Sequence, residues 1–441
     1  MRITAIDLIK TLQGKGFTAY FAGGCVRDML LGLHPKDFDI VTNAVPEQIE
    51  EIFEHTVPIG KQFGVILVVQ NGHHFEVATF RSDSGYSDGR RPDAVIFSSA
   101  DQDAERRDFT INGMFYDPIT EQVFDFVGGK RDLQAKLIRF IGDPDQRIQE
   151  DHLRLLRAVR FKNQFNFQYD PSTYNALKTH ASLVIHKISP ERLRDEFCKM
   201  LINSTKPSNS FEELSHLGIL EKILPELENL RGCAQPTEYH QEGDVWTHTM
   251  AAIDSIPKEA SLTTHLATLF HDIGKPETYK VAERIRFDSH ATISAELAVK
   301  IMRRLQFSNR QIQAVSWCVE HHMMMASFFQ MNDGRLMHWF HHTNIRNLLA
   351  TMKADAAGTT PVDLTFYEKI EHLYKLKTAQ HQSIPKPLLN GLEIMNLTGL
   401  PKGPQIGKLR EILIEHQLDG KILSKEQAIE WLKRETSGSR N

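Results

Sequence analysis

The chain has 441 residues, of which 41% are hydrophobic and 24% are charged. This balance predicts a soluble globular protein of two or three domains and excludes a disordered or membrane-embedded chain. The N-terminus lacks the apolar core and the cleavage site of a signal peptide. Four widely spaced cysteines without CxxC spacing favour reduced thiols and a cytoplasmic location. The formal net charge of −4 gives no overall sign of nucleic acid binding, so any such site must be a local basic patch.

Residues 1–145 alternate short β-rich segments with helical ones. The segment AYFAGG predicts a strand that ends in a glycine turn, and DFDIVT predicts a second strand. Residues 64–80 predict a hairpin, because Asn71 and Gly72 tolerate the positive φ angles of a type I′ turn. The segments VFDFVGG and LIRFIG predict further strands. We therefore expect an α+β fold class, with a mixed and mainly antiparallel β-sheet in the N-terminal head.

Helical signals dominate from Asp151 onward and predict an all-α remainder. We expect this remainder to comprise residues 146–237, residues 238–375 and a small helical tail at 376–441, and the polar, proline-containing stretch at 203–210 predicts a boundary. The polar, proline-containing stretch at 376–391 predicts a linker into the tail.

A glycine turn followed by two aspartates is the first candidate site. Asp37 and Asp39 lie two positions apart on the predicted strand, so both side chains project to one face, about 6.5 Å apart along the chain. Such a pair can hold two Mg²⁺ ions that activate an attacking hydroxyl and bind a triphosphate. Gly24 allows backbone N–H groups to approach phosphate oxygens, and Arg27 can bind the triphosphate. Glu76 on the hairpin is a candidate third carboxylate, and the alternative for each group is an ordinary surface residue or turn.

The motif ERRDFTING follows as a second candidate. Arg107 and Asp108 can bind the phosphates and the ribose hydroxyls of a nucleotide, with Asp108 as an acceptor of O–H donors. The alternative is a solvated charge cluster at the start of a helix.

The third candidate is the segment EDHLRLLRAVRF. Asp151, Arg154, Arg157 and Arg160 fall at intervals of three and form one stripe on a predicted helix. Aspartate can accept from the exocyclic amine of cytosine or adenine, while arginine donates to the ring acceptors. Uracil and guanine present a carbonyl oxygen that an ionised carboxylate repels. The stripe thus predicts selection of C and A without a nucleic-acid template, the alternative being an arginine-rich exposed helix face.

These three motifs, in this order, resemble the class II tRNA nucleotidyltransferase and bacterial poly(A) polymerase family over about residues 15–200. GGxVRD followed by DxD resembles the catalytic motif of the family, RRDFT its ribose-recognition motif, and EDxxR its amino-acid template for the incoming base. The resemblance implies Mg²⁺ at Asp37 and Asp39, and a helical neck and body in residues 146–237 that cradle tRNA. It implies nucleotide binding by Gly24, Arg27, Arg107, Asp151, Arg154, Arg157 and Arg160. Residues 78–100 resemble the flexible loop of CCA- and A-adding members, which disfavours addition of CC alone.

The histidine-rich half contains the pattern H…HD…D. Its members are His248, the adjacent pair His271 and Asp272, and Asp355. Mixed imidazole and carboxylate ligands suit a divalent transition metal such as Mn²⁺, Fe²⁺ or Zn²⁺ better than Ca²⁺. The HD doublet lies inside the apolar run LATLFHDIG, where a buried charge needs partners.

This stretch, about residues 238–360, resembles an HD-superfamily phosphohydrolase domain. The resemblance implies phosphatase or 2′,3′-cyclic phosphodiesterase activity as an expectation. His290, together with His321 or His322, is a candidate for a second metal site or for contact with a phosphate.

The sequence therefore predicts an enzyme that adds CCA to the 3′ end of tRNA from CTP and ATP. Its cofactors are expected to be Mg²⁺ in the head and a divalent transition metal in the HD domain, and no membrane partner is expected. One alternative is a poly(A) polymerase or A-adding enzyme, which shares the chemistry and uses ATP alone. A second alternative is an HD phosphohydrolase whose head only binds RNA.

Overall fold

The computed structural model describes residues 1–85, 94–185, 188–238, 240–380 and 385–437. The chain divides into two compact units, Met1–Pro225 and Glu226–Asn441. The expected flexible loop at 78–100 is described only at its two ends, because residues 86–93 lie outside the described residues. Among the described helices, none combines the length and the apolar composition that crossing a membrane requires.

The first unit contains both strands and helices. Its strands are β1 Ala19–Ala22, β2 Asp39–Thr42, β3 Thr56–Gly60, β4 Val65–Gln70, β5 His73–Thr79, β6 Arg81–Ser84, β7 Ala94–Phe97, β8 Met114–Asp117, β9 Gln122–Asp125, β10 Leu137–Ile138 and β11 Gln168–Tyr169. Its helices are α1 Arg2–Gly14, α2 Gly24–Leu30, α3 Pro46–Ile52, α4 Ala100–Glu105, α5 Gly129–Gln134, α6 Pro144–Glu150, α7 Arg154–Phe165, α8 Pro171–His180, α9 Pro190–Asn203, α10 Ser208–His216 and α11 Leu220–Ile223. α12, Pro225–Glu228, follows at the junction of the two units.

A seven-stranded sheet forms the base of the first unit, in the order β3-β4-β5-β2-β1-β8-β9. β2 and β5 are parallel, and the other neighbours are antiparallel. The expectation of a mixed, mainly antiparallel sheet in an α+β chain is thus confirmed. The register places Ala22 opposite Asp39, and Ile40 beside Val77. Through this register the end of β1, the start of β2 and the middle of β5 lie side by side.

Side-chain alternation explains which face of the sheet is buried. In β5, Phe75 and Val77 are buried whereas His74 and Glu76 are exposed, the period of two that a sheet with one covered face requires. The hairpin between β4 and β5 turns at Asn71 and Gly72, both with positive φ, as the sequence predicts.

The helices after the sheet carry the second half of the first unit. α7 packs against α9 and α10, and its buried face includes Leu155, Leu156 and Val159 together with two arginines, Arg154 and Arg160. Burying a guanidinium is costly unless it is paired, so these two positions point to a polar site inside the unit.

The second unit is mainly helical. Its elements are α13 Val245–Asp254, α14 Leu262–Phe270, α15 Lys275–Thr278, β12 Tyr279–Val281, β13 Ile285–Phe287, α16 His290–Arg304, α17 Asn309–His321, α18 Asp333–Phe340, α19 Ile345–Gly358, α20 Thr365–Gln380, α21 Gly391–Thr398, α22 Pro404–Leu418 and α23 Lys425–Ser437. α13, α14, α17 and α19 pack on one another, with His248 on α13, His271 directly after α14 and His322 directly after α17.

The expectation of helices almost throughout this half is confirmed, with the antiparallel hairpin of β12 and β13 as a local exception. A second expectation is wrong in part. The expected linker at 376–391 is helical at its start, because α20 runs to Gln380, and the prolines that break helix formation come only at Pro385 and Pro387. The four predicted domain bounds stay predictions.

Candidate nucleotide site and candidate metal centre

The glycine turn after β1 brings two arginines together. Gly23 has a φ of 68°, in the left-handed region that favours glycine. A Cβ atom at Gly23 would lie 2.9 Å from Nη1 of Arg107, so glycine also makes room for that side chain. Arg27, one turn into α2, is buried and donates to Oδ1 of Asn112 at 2.6 Å and to Oδ1 of Asp28 at 2.8 Å.

The two aspartates lie beside this turn. β2 begins at Asp39, so Asp37 precedes the strand rather than lying within it. The prediction that both aspartates lie on one strand is therefore wrong for Asp37. Asp37 and Asp39 are nevertheless both exposed, whereas Phe38 is buried, which puts the two carboxylates on the same open side.

Glu76 faces the same side from the neighbouring strand. It directly precedes Val77, the register partner of Ile40, and so lies next to Asp39. The surrounding protein and the negative charges of Glu76 and Asp37 raise the pKa of Asp39, against the opposing effect of Arg107. In the described part of the chain, these three carboxylates are not among the groups whose ligand oxygens all lie within 4.8 Å of one another. They form an open acidic cluster, and a bound cation would reduce the repulsion between its negative charges.

A pocket of about 490 Å³ lies between the glycine turn and α7, within the range of small-molecule sites. Seven arginines and three aspartates line it together with smaller groups. The charged lining residues are Arg27, Arg106, Arg107, Arg154, Arg157, Arg160, Arg192, Asp39, Asp108 and Asp151. The structure thus brings together Gly24 and all of the predicted nucleotide-binding side chains, whereas Asp37 and Glu76 lie outside the lining.

Each of the seven guanidinium groups is paired with a carboxylate. The pairs are Arg27–Asp28, Arg106–Asp103, Arg107–Asp103, Arg154–Glu150, Arg157–Asp108, Arg160–Glu196 and Arg192–Asp151, with closest N–O distances of 2.5 to 2.9 Å. Asp103 is completely buried and serves two arginines at once. This pairing lets like charges converge without unfavourable repulsion.

An aromatic floor supports three of the arginines. The guanidinium carbons of Arg27, Arg157 and Arg160 lie 5.0, 5.1 and 4.0 Å from the ring centroid of Phe161, and Arg27 also lies over Phe165 at 4.6 Å. Cations at such distances are attracted to the ring face. The predicted arginine stripe is therefore not an exposed helix face.

Asp108 is held in its ionised form. Burial opposes ionisation of this carboxyl, but the charge of Arg157 and a hydrogen bond from Asn112 outweigh it and lower the pKa of Asp108 to about 2. Its Oδ2 accepts from Nε of Arg157 at 2.7 Å, and its Oδ1 accepts from Nδ2 of Asn112 at 3.0 Å. Asp108 thus orients Arg157, whereas the sequence suggested only a contact to ribose.

Asp151 departs from the predicted helical stripe. It ends α6 with extended backbone, and α7 begins only at Arg154. Its carboxylate accepts two bonds from Arg192, at 3.0 and 2.7 Å. The reason is local: the Oδ1 of Asp151 also accepts from the backbone N–H of Leu153, a turn that competes with continuous helix.

Sequence reasoning missed several lining residues. Arg192 comes from α9, more than thirty positions along the chain, and Asn112 from the segment after RRDF. Arg106 could have been inferred from its place beside Arg107, but Arg192 carries no signal until α9 is known to lie against α7.

The second unit contains a candidate metal centre built from the predicted ligands. Nε2 of His248 lies 3.2 Å from Nε2 of His271 and 3.0 Å from Oδ1 of Asp355. Oδ2 of Asp272 lies 3.2 Å from Nε2 of His271. The four predicted side chains therefore converge from α13, from the turn after α14 and from α19.

A further group lies on the other side of Asp272. Oδ1 of Asp272 lies 3.4 Å from Nε2 of His290, which is 3.3 Å from Nε2 of His322. Of the two histidines left open by the sequence, His322 is therefore the one that joins the site. His321 instead packs against Trp317 and donates from Nδ1 to the backbone carbonyl of that residue at 2.7 Å.

The other ring nitrogens fit this arrangement. The Nδ1 atoms of His271, His290 and His322 each face a backbone carbonyl at 2.6 to 2.9 Å, which assigns the proton to Nδ1 and leaves Nε2 as a lone-pair donor. Nδ1 of His248 faces Oε1 of Glu242 at 3.1 Å. Facing Nε2 lone pairs next to carboxylates form a donor set suited to divalent metal ions.

Glu242 is a residue that the sequence did not single out. Besides His248, it contacts Nδ1 of His240 at 2.7 Å and accepts from the backbone N–H of Thr360 at 2.7 Å. Burial opposes its ionisation, but these hydrogen bonds, led by that of His248, lower the pKa of Glu242 to about 2. Carboxylates in this position commonly orient metal-binding histidines.

Three family models match the chain in consecutive segments. Residues 19–139 match the poly A polymerase head domain, residues 166–230 match a probable RNA and SrmB-binding site of polymerase A, and residues 244–338 match the HD domain.

Curated relatives match part of the chain. The CCA-adding enzyme of Lactobacillus helveticus is 45% identical over 199 residues, which are 45% of this chain and 49% of that protein. The CCA-adding enzyme of Latilactobacillus sakei is 40% identical over 263 residues, which are 58% of this chain and 65% of that protein. The chain thus spans about half to two thirds of the length of the curated relatives it matches.

Solved structures share the fold over nearly the whole length. The CCA-adding enzyme of Bacillus stearothermophilus in complex with CTP aligns with a TM-score of 0.71 at 23% identity, over 99% of this chain and 97% of that chain. The Thermotoga maritima CCA-adding enzyme complexed with tRNA aligns with a TM-score of 0.54 at 21% identity, over 98% of this chain and 94% of that chain. At these identities the likeness shows the fold alone.

The fold and the sites define a protein with a polymerase-type head, an RNA-binding segment and an HD domain. Residues 19–139, 166–230 and 244–338 thus match a poly A polymerase head domain, an RNA-binding segment and an HD domain in turn, in agreement with the resemblance that the sequence motifs indicated. The roles of the individual site residues stay predictions.

We predict that Asp108→Asn destabilises the first unit by about 2 kcal/mol at pH 7, because a carboxyl with a pKa of about 2 instead of 3.8 stabilises the folded state. This contribution is present above about pH 4 and is lost as the pH falls toward 2, so the parent and the variant should converge in acid. Denaturant unfolding at a series of pH values measures the difference in the free energy of unfolding between the parent and the variant. The matched control is Asp195→Asn, an exposed pair with Arg194 that should change stability little. A constant difference between parent and variant across this pH range would contradict the prediction.

We predict that Glu242→Gln weakens divalent metal binding in the second unit by about 10- to 100-fold, because the neutral amide no longer fixes the imidazole of His248. Equilibrium dialysis of the full chain against Mn²⁺ with a competing chelator gives the affinity. Glu238→Gln, at an exposed carboxyl nearby, is the control and should bind like the parent. Equal affinity in the Glu242 variant would show that Glu242 has no part in orienting His248.

Proposed function

We propose that the chain is a tRNA nucleotidyltransferase that adds CCA to the 3′ end of tRNA, using CTP and ATP. The observation that carries the proposal is the head pocket, where Asp39, next to Asp37 and Glu76, faces seven paired arginines. A nucleoside triphosphate needs both parts: cations for its phosphates, and carboxylates that hold Mg²⁺ beside them. The names of the curated relatives and of the solved structures, several of which contain CTP, ATP or tRNA, support the same substrates.

In this proposal Asp37 and Asp39 hold Mg²⁺, with Glu76 as a further acceptor. When bound there, Mg²⁺ supplies charge neutralisation and favours deprotonation of the terminal hydroxyl. The 3′ oxygen of the tRNA forms a bond to the α-phosphorus, the bond from the α-phosphorus to the bridging oxygen breaks, and pyrophosphate leaves with its electron pair. Arg27 and Arg107, fixed by Asn112 and Asp103, bind the triphosphate before and during this step, so little reorganisation is needed.

Base selection falls to Asp151 and Arg154. Arg192 holds the carboxylate of Asp151 through both oxygens, and a carboxylate has further lone pairs with which to accept from an exocyclic amine. Nη1 of Arg154 is held by Glu150 and by the carbonyl of Arg147, each at 2.7 Å. Fixed side chains at both positions discriminate better than mobile ones, because the wrong base leaves them unpaired.

We also propose that the second unit is a metal-dependent phosphohydrolase acting on phosphate esters, as a phosphatase or a cyclic phosphodiesterase. A divalent transition metal would be held by His248, His271, Asp272 and Asp355, where the convergence of Nε2 atoms and carboxylates supports it. His290 and His322 would hold a second ion on the other side of Asp272. Removal of a phosphate from a damaged RNA 3′ end would restore the hydroxyl that the head requires.

The test is single-nucleotide incorporation on tRNA that lacks its terminal CCA. With Mg²⁺ and labelled CTP alone, the full chain should add two residues, and ATP should be added only after them. Incorporation of ATP without CTP would reject CCA addition in favour of a poly(A) polymerase or A-adding enzyme.

Variants separate the head from the second unit. Asp37→Ala combined with Asp39→Ala should lower incorporation by about 10²–10³-fold or more, while any hydrolysis of phosphate esters persists. Glu51→Ala with Glu54→Ala, at exposed carboxyls outside the pocket, is the matched control and should leave incorporation unchanged. Incorporation that survives the Asp37 and Asp39 changes would leave an HD phosphohydrolase with an RNA-binding head as the better account.

A further inference from the structure

The hairpin of β12 and β13 forms one wall of the pocket that contains the candidate metal centre. This pocket has a volume of about 830 Å³. Arg284 and Arg286 of the hairpin line it, as do the buried Asp272, His290 and His322. The two arginines are exposed, so they lie toward the opening, whereas the ligand groups lie deep in the pocket.

The two arginines differ from those of the head pocket. Among the described residues, neither guanidinium has an ion-pair or hydrogen-bond partner, although every arginine of the head pocket is paired. In addition, Arg286 lies directly opposite Lys280 in the hairpin register, and like charges in such a position are destabilising. A hairpin that carries unpaired cations beside a polar pocket is therefore suited to an anion from outside the chain.

The hairpin is also fixed relative to the metal centre. The ring of Phe287 packs against that of Tyr279, with centroids 5.9 Å apart and ring planes at 59°, and its centroid lies 5.2 Å from Nζ of Lys275. The carbonyl of Phe287 faces Nδ1 of His290 at 2.9 Å. A hairpin of three residue pairs is marginally stable alone, and these contacts hold its base against a candidate metal ligand. The arginines therefore stay at a set distance from that ligand.

We propose that Arg284 and Arg286 bind a phosphate of the ligand other than the one at the metal centre. The proposal rests on the phosphohydrolase function proposed for the second unit. Lys275, with Nζ 2.6 Å from Asp272, already supplies a cation deep in the pocket, which leaves the hairpin for a second anionic group. The apolar side chains of Met323, Met325 and Met352 on the same pocket suit a base.

The ligand is thus a nucleotide with a terminal phosphate group at the metal centre and a second phosphate. Two sources share this chemistry: an RNA end that carries a 3′-phosphate, and a free nucleoside diphosphate. Suitable probes that resist hydrolysis are CpA with a 3′-thiophosphate for the RNA end and ADP with a β-thiophosphate for the free nucleotide. Adenosine 3′-thiophosphate, with one phosphate group, is the comparison.

The test measures binding of each probe to the full, Mn²⁺-loaded chain by hydrogen exchange of the amides next to His290 and His322, which reports on this pocket and not on the head. Arg284→Ala with Arg286→Ala should weaken binding of a two-phosphate probe by about tenfold or more and of adenosine 3′-thiophosphate by less than about twofold. Lys280→Ala removes a cation of the same hairpin that does not line the pocket and should have no such effect.

The pattern of binding losses distinguishes the RNA end from the free nucleotide as the ligand, and two of the possible results contradict the proposal. A loss confined to the CpA probe assigns the RNA end, and a loss confined to the ADP probe assigns the free nucleotide. Unchanged binding of both two-phosphate probes, or an equal loss for the one-phosphate probe, would overturn the role of the arginines while leaving the metal-dependent function intact. A parent chain that binds none of the probes would overturn both proposals.

Discussion

The convergence of seven guanidinium groups in one pocket of the first unit is the constraint on which the head depends. Positive charges so close together are unfavourable unless each is compensated. Here each guanidinium is paired with a carboxylate, with Asp103 shared by two of them, and three of the guanidinium groups lie over the ring of Phe161. The side chains are thereby held in place before any ligand arrives. In the proposed function, a triphosphate would meet cations that are already oriented, which is the arrangement that electrostatic stabilisation of a transferring phosphate requires.

The open acidic cluster of Asp37, Asp39 and Glu76 is the complement of this pocket. Burial, together with the negative charges of Glu76 and Asp37, raises the pKa of Asp39, and carboxylates so placed are unfavourable neighbours until a cation lies between them. The register of β1, β2 and β5 forces these carboxylates together. The sheet therefore both creates the repulsion between them and places them beside the arginines. The second unit uses the same principle with different donors, since Asp272 lies between two pairs of imidazoles. In both units the backbone collects ligand groups that are unfavourable neighbours on their own.

Much of this arrangement could be predicted from the sequence, and the exceptions have physical reasons. The glycine turn and the paired aspartates could be found because they combine a local backbone requirement with chemically distinctive side chains at short spacing. The four HD-pattern ligands, although His248 and Asp355 are 107 positions apart, could be found because the HD doublet lies inside an apolar run. The prediction that Asp151 lies on the helix was wrong, because its side chain accepts from the backbone N–H of Leu153 and stabilises a local turn instead. Arg192, Glu242 and the partners of the head arginines could not be found, because their roles depend on contacts between helices that are distant in the chain. The hairpin of β12 and β13 was missed because three-residue strands give too short a pattern to detect.

The most direct test of the central claim is a crystal structure of the full chain grown with Mn²⁺ and CTP, with the ions located by anomalous scattering. The account predicts metal ions at Asp37 and Asp39, with the triphosphate against Arg27 and Arg107 and the base next to Asp151 and Arg154. Metal ions elsewhere, or a nucleotide bound outside the arginine-lined pocket, would contradict it.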